Sequence, residues 1–145
     1  MVKHYRGSYH TEYFPKTAST AFTFNDMVTV ASTAAGAGTL KKASATDTEV
    51  YGIIQRPIAS TDDDYASTTM VPVLVGDTDT EFEFDVSTGT AATSDIGEYI
   101  DLDDENSVDV DAYTLGVVKV TGILSTTKII GKFTKKSGKE VPITA

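Results

Sequence analysis

The chain has 145 residues, about one domain's worth, and carries 46 Val, Ile and Thr against eight Leu and Met. β-Branched side chains pack well on pleated surfaces and lose χ1 freedom in helices, so a helical bundle is excluded. Cysteine is absent, which excludes a disulfide scaffold, a thiolate metal site and a Cys nucleophile; a formal net charge of −9 argues against nucleic acid and anionic membrane as main partners.

The charge is unevenly placed. Residues 1–16 are net +2, residues 128–145 net +4, and residues 17–127 net −15. Such a body stays soluble by self-repulsion, or its basic ends dock on the acidic bodies of neighbouring copies. Residues 1–16 lack the apolar core of a signal peptide, and no apolar run approaches the ~20 residues of a membrane helix. A protein made and kept in cytosol-like conditions, or exported by a route without such a signal, is expected.

Along the chain, residues 1–20 are the least strand-like. Tyr5, Tyr9, Tyr13 and Phe14 alternate there with His4, Arg6, His10 and Lys16. Solvated tails are normally poor in aromatics, so this segment reads as an arm. It orders against another surface or folds back on its own barrel.

A β domain is expected over residues 21–134, followed by a basic tail over 135–145. Its first strand runs through Asp26 to Val30, after Phe22 and Phe24. The small residues of 32–38 read as a loop, and Thr39 to Lys42 as a short strand. Residues 49–58 read as a strong strand with Gly52 inside and Pro57 near its end, marks of a bulge or close approach and of an edge. Residues 69–75 and 80–86 alternate apolar and polar around a Gly76-Asp77 turn, which predicts a hairpin with one buried and one wet face. Residues 87–95 form a second small-residue loop. Strands over 99–102, 108–110, 115–120 and 128–133 complete about nine or ten, as in a compact β-barrel or a sandwich.

A weak internal echo runs through these strands. Asp26 to Val30 aligns with Glu98 to Leu102, and Gly52-Ile53-Ile54 with Gly116-Val117-Val118. A duplication and two uses of one local β pattern both explain it.

Few residues suggest chemistry. Asp62, Asp63 and Asp64 form one acidic cluster. Asp101, Asp103 and Glu105 begin another like a calcium loop, but its sixth position is Asn106 and its twelfth Ala112, which excludes an EF-hand. They stand as weak metal candidates beside the plain reading of a solvated acidic loop. His4 and His10 lie in the arm, where nothing in the sequence positions them. No GxSxG, HExxH or phosphate-binding loop occurs, so no enzyme and no cofactor are expected.

Several segments together resemble a known family. They are Phe24 to Val30, Val50 to Ile58, Val71 to Val75, Ile96 to Leu102, Leu115 to Val118, and Ile130 to Phe133. Over about residues 22–133 the chain resembles the small capsid decoration, or cement, proteins of tailed bacteriophages, built on a β-tulip or similar barrel. The shared manner is an acidic residue entering a strand, a Thr- and Ala-rich loop, then a strand with Gly and two aliphatics.

The resemblance implies a virion structural protein made in the host cytoplasm and bound to the outer capsid surface. Its expected partners are the major capsid protein and copies of itself, as a homotrimer. An extended N-terminal arm would clasp the capsid through Tyr5, Arg6, Tyr9, Tyr13 and Phe14, and its removal would leave a folded barrel. The basic C-terminal tail is not explained by the resemblance. The alternatives are another virion component, such as a head-tail or tail protein, and a carbohydrate- or receptor-binding β module. Tyr51, Tyr65, Tyr99 and Tyr113 speak weakly for the latter and the lack of Trp against it.

Overall fold

The computed structural model describes residues 1–31 and 38–134. The expected basic tail and most of the loop at 32–38 lie outside the described residues. The fold is all-β. Its strands are β1 (Lys3–Arg6), β2 (Tyr9–Pro15), β3 (Met27–Val30), β4 (Leu40–Lys42), β5 (Gly52–Ile54), β6 (Met70–Gly76), β7 (Glu81–Thr88), β8 (Tyr99–Asp104), β9 (Ser107–Asp109), β10 (Val118–Ser125) and β11 (Lys128–Phe133).

Two sheets hold these strands. One has the order β2-β6-β5-β3-β4. It curls until Lys16, just past β2, bridges in parallel to Leu40 of β4, and the Thr17 N–H donates to the Leu40 carbonyl. The other has the order β7-β11-β10-β8-β9, with β1 beside β7. There β9 returns to pair in parallel with β7, so five strands close into a barrel.

The two rings share one topology. Replacing β2 to β6 by β7 to β11 in chain order converts one sheet order into the other. Four antiparallel pairings and the parallel closure match in sense. The internal echo is therefore the trace of a structural tandem repeat. Its first half aligns correctly, since β3 and β8 occupy the same place. Its second half is two residues off: Val28 pairs with Gly52, whereas Ile100 pairs with Val118 rather than Gly116. A two-residue slip keeps each side chain on its face, so the hydrophobic pattern does not reveal it.

Alternation explains the cores. Phe14, Val28, Leu40, Ile54, Val71, Val73 and Val75 fill the first ring, with Phe22 and Ile58 added. Their strand neighbours Met27, Ile53 and Leu74 point the other way and join Phe82, Phe84, Ile100, Leu102, Val118, Val120 and Ile129 of the second barrel. The first ring is thus apolar on both faces where the two units meet.

Three expectations are corrected. First, residues 3–15 are not the extended arm that the resemblance implies, and of the two readings given for them the fold-back holds. They fold back as β1 and β2, because Phe14 completes the first core at 2% exposure. Second, residues 70–88 form no hairpin: β6 pairs with β2 and β5, while β7 pairs with β1, β11 and β9. Alternation and a Gly-Asp turn look the same whether the chain doubles back or passes into a second sheet. Third, only Gly52–Ile54 of the strand expected at 49–58 joins the ladder. The flanks keep bonding but change partners: Tyr51 N–H to Val28, Gln55 N–H to Pro72, and Ile58 against Phe22. Gly52 marks a close approach, since a Cβ there would lie 2.2 Å from the Leu74 carbonyl oxygen.

With the arm folded in, residues 3–15 run antiparallel to residues 70–83 as one two-stranded ribbon crossing both units. Truncation of residues 1–16 removes a strand from each sheet and is expected to abolish cooperative unfolding rather than leave a folded barrel. Phe14→Ala is expected to cost about 3–5 kcal/mol. Denaturant unfolding followed by circular dichroism checks both, and an unchanged midpoint for Phe14→Ala would contradict its place in the core.

Candidate functional site

The candidate site residues lie along this ribbon, Tyr5 and Arg6 on β1 and Tyr9, Tyr13 and Phe14 on β2. Strand alternation sends Tyr9, Thr11 and Tyr13 outward and Phe14 inward. Tyr5, Tyr9 and Tyr13 are 41%, 53% and 56% exposed. Tyr13 lies opposite Pro72 and Pro15 opposite Met70, which is itself 51% exposed. Sequence spacing gave no sign of Pro72 and Met70, because they reach the patch across the sheet from a strand nearly 60 residues away.

Neighbours hold the tyrosines in place. The His4 ring lies 4.7 Å from the Tyr9 ring, and the Arg6 guanidinium 5.5 Å from the Tyr5 ring. Arg6 Nε donates to Glu81 Oε1 at 2.5 Å. That bond holds the guanidinium pKa above its usual value and the Glu81 carboxyl below its own. Thr121 donates a further bond to Glu81. Lys3 lies 3.6 Å from Glu83, and Lys128 2.7 Å from Asp85. The acidic face of β7, expected to be wet, is therefore partly covered by cations of β1 and β11.

The cations of the N-terminal segment are partnered within the molecule, Lys3 and Arg6 at the surface and Lys16 in the interior. Lys16 is fully buried and donates to the carbonyls of Tyr65 and Ser67, with the Tyr65 ring 5.7 Å away. Of the C-terminal lysines, Lys135, Lys136 and Lys139 lie outside the described residues. The histidines are also positioned, contrary to the sequence reading. His4 Nε2 contacts the Gly7 carbonyl at 2.8 Å, and His10 lies between Glu12 at 2.6 Å and Asp77 at 3.5 Å.

Phe14 is withdrawn from the candidate set, since its ring packs edge-on against Tyr51 in the core. Of the other tyrosines, Tyr51 and Tyr65 are half-buried, while Tyr99 and Tyr113 are exposed.

The weak metal candidates do not converge. Asp101 is buried and accepts the N–H groups of Leu115 and Gly116, each at 2.8 Å. Asp103 accepts from Ser87 and Thr88. The Glu105 carbonyl receives the Met27 N–H at 2.8 Å. Among the described residues no three acidic or imidazole groups gather as a metal site.

Asp26 is the unexpected group. It is 2% exposed where the two units meet. Its Oδ2 accepts the Thr23 N–H at 2.7 Å, and its Oδ1 has no hydrogen-bond partner among the described residues. Burial, with Glu105 and Asp104 adding repulsion, raises its pKa above the usual carboxylate value; the Thr23 bond and Lys42 oppose this. The acidic residue entering a strand was visible in the sequence, but its burial was not.

No protein-family model, curated protein or solved structure matches the chain.

The folded state favours protonated Asp26. Its stabilising contribution is complete below the unfolded carboxyl value and is lost as pH rises through the raised folded value. Asp26→Asn keeps an acceptor for Thr23 and removes the charge. It is expected to raise stability at pH 7 and to flatten the fall of stability with rising pH. Urea midpoints from pH 4 to 8 check this; parallel profiles for the two proteins would refute it.

Proposed function

We propose that this chain is a virion structural protein that binds the outer surface of a tailed-phage capsid and staples neighbouring capsid subunits. The reading joins the resemblance to phage decoration proteins with one geometric observation. Three exposed tyrosines and an arginine lie along one ribbon whose strands pair within both units. Tyr and Arg are favoured anchor types at protein interfaces.

The structure alters the proposed means of attachment. A loose arm would lose conformational entropy on binding, whereas Tyr5, Tyr9 and Tyr13 stand on strands already paired in the free protein. A pre-ordered face loses less freedom when it docks. Under this reading the partners are the major capsid protein and further copies of the chain, and repetition over a symmetric shell multiplies modest contacts.

Tyr9→Ala/Tyr13→Ala is expected to weaken co-sedimentation with capsids of the encoding phage, stripped of this protein, by about tenfold or more. Tyr113→Ala, on the other unit, is expected to bind normally. Circular dichroism controls for folding. Wild-type protein that fails to bind stripped capsids, or that is found at the tail in particle images or on a glycan array, would overturn the proposal.

A further inference from the structure

The repeat exposes a difference between the two units. On the β7 edge away from β11, β9 pairs along Asp85 to Thr88 and β1 pairs along Glu81 to Glu83. β2 holds the place of β7 in the first unit. Its corresponding edge meets Leu40 at Lys16. Among the described residues no strand pairs with Tyr9 to Tyr13 on that side. Among the described residues, the position that β1 fills in one unit has no strand in the other.

The sequence along this edge is self-complementary. Laid antiparallel on itself about Thr11, Tyr9-His10-Thr11-Glu12-Tyr13 places Tyr9 opposite Tyr13, His10 opposite Glu12, and Thr11 opposite Thr11. Aromatic pairs and Thr–Thr pairs are cross-strand combinations that stabilise sheets, and an imidazole N–H donates to a carboxylate without needing a charge. The register also matches faces. Tyr9, Thr11 and Tyr13 are exposed while His10 and Glu12 are half-buried, so like side meets like side. Sheets usually protect such an edge with Lys or Pro, and these five residues contain neither.

We propose that two copies of this chain pair edge to edge through residues 9–13 of β2, antiparallel about a twofold axis at Thr11. The contact is isologous, with the same segment used by both copies. Backbone hydrogen bonds hold the strands, and the alternating side chains select the partner. Pairing also sets Tyr9 and Tyr13 of both copies side by side as one outer surface of four rings. The proposal rests on the edge alone and survives failure of the capsid reading. It yields twofold pairs, distinct from the threefold association that the resemblance implies.

The natural chain has no cysteine, so Thr11→Cys introduces a single thiol at the proposed axis. Under mild oxidation of the full chain it is expected to form a disulfide-linked dimer about tenfold faster than Thr61→Cys, an exposed loop thiol. Sedimentation equilibrium of the wild type is expected to show a monomer–dimer equilibrium. Glu12→Lys sets Lys against His10 of the second copy and is expected to raise the dissociation constant about tenfold. His10→Glu/Glu12→Lys gives an opposite-charge pair and is expected to restore the dimer. A wild type that stays monomeric at several hundred micromolar would overturn the proposal. So would a trimer whose Thr11→Cys form links no faster than the control, or a dimer indifferent to Glu12→Lys.

Discussion

Gly7 and Ser8 sit where one strand of the ribbon passes from the second unit to the first, and residues 77–80 make the same passage on its partner. These two corners touch. Gly7 has φ +92°, and a Cβ on it would lie 2.2 Å from the Asp79 carbonyl oxygen. Ser8 donates to the Asp79 carboxylate from both its N–H and its hydroxyl, and Thr80 donates to the Ser8 carbonyl. These bonds, with burial as the opposing influence, leave the Asp79 carboxyl below its usual pKa. The packed corners align the ribbon across both units. The buried place of Phe14, the exposed tyrosine row and the pairing of Arg6 with Glu81 all follow from that alignment.

Closure into rings shapes the rest. A flat five-strand sheet has two open edges, which invite other chains. The second unit closes fully, with β1 covering the stretch of β7 that β9 leaves free. The first closes at Lys16 and Leu40. Lys16 has its ammonium on two carbonyls in the interior, a costly arrangement unless the group is fully hydrogen-bonded. The two units therefore differ most at the edge where their shared topology would lead one to expect a match.

Much of the fold was legible in the residues. The Val, Ile and Thr excess, the period-two runs at 71–75 and 82–86, and the Gly-aliphatic strands all indicated a compact β-barrel or sandwich. The exposed tyrosine row was partly legible, as three tyrosines at spacing four. That spacing also places side chains on one face of a strand, because four is a multiple of two. Phe14 belongs to the opposite parity, and sequence proximity alone assigned it to the site. The hairpin at 76–80 was misread because turn chemistry specifies a reversal or corner without specifying which strand receives the chain.

Taken alone, the sequence determined the all-β class, most strand positions, the acidic body and the faint repeat, because these depend on local periodicity and composition. Tertiary structure decided what those segments face. It folded the N-terminal residues into both sheets, set their cations against Glu81 and Glu83, buried Asp26 between the units and left one edge of β2 without a partner strand among the described residues. The physical reason is that strand pairing joins residues far apart in the chain. Alternation states which side of a strand is apolar, but not which strand, or which copy, completes its edge.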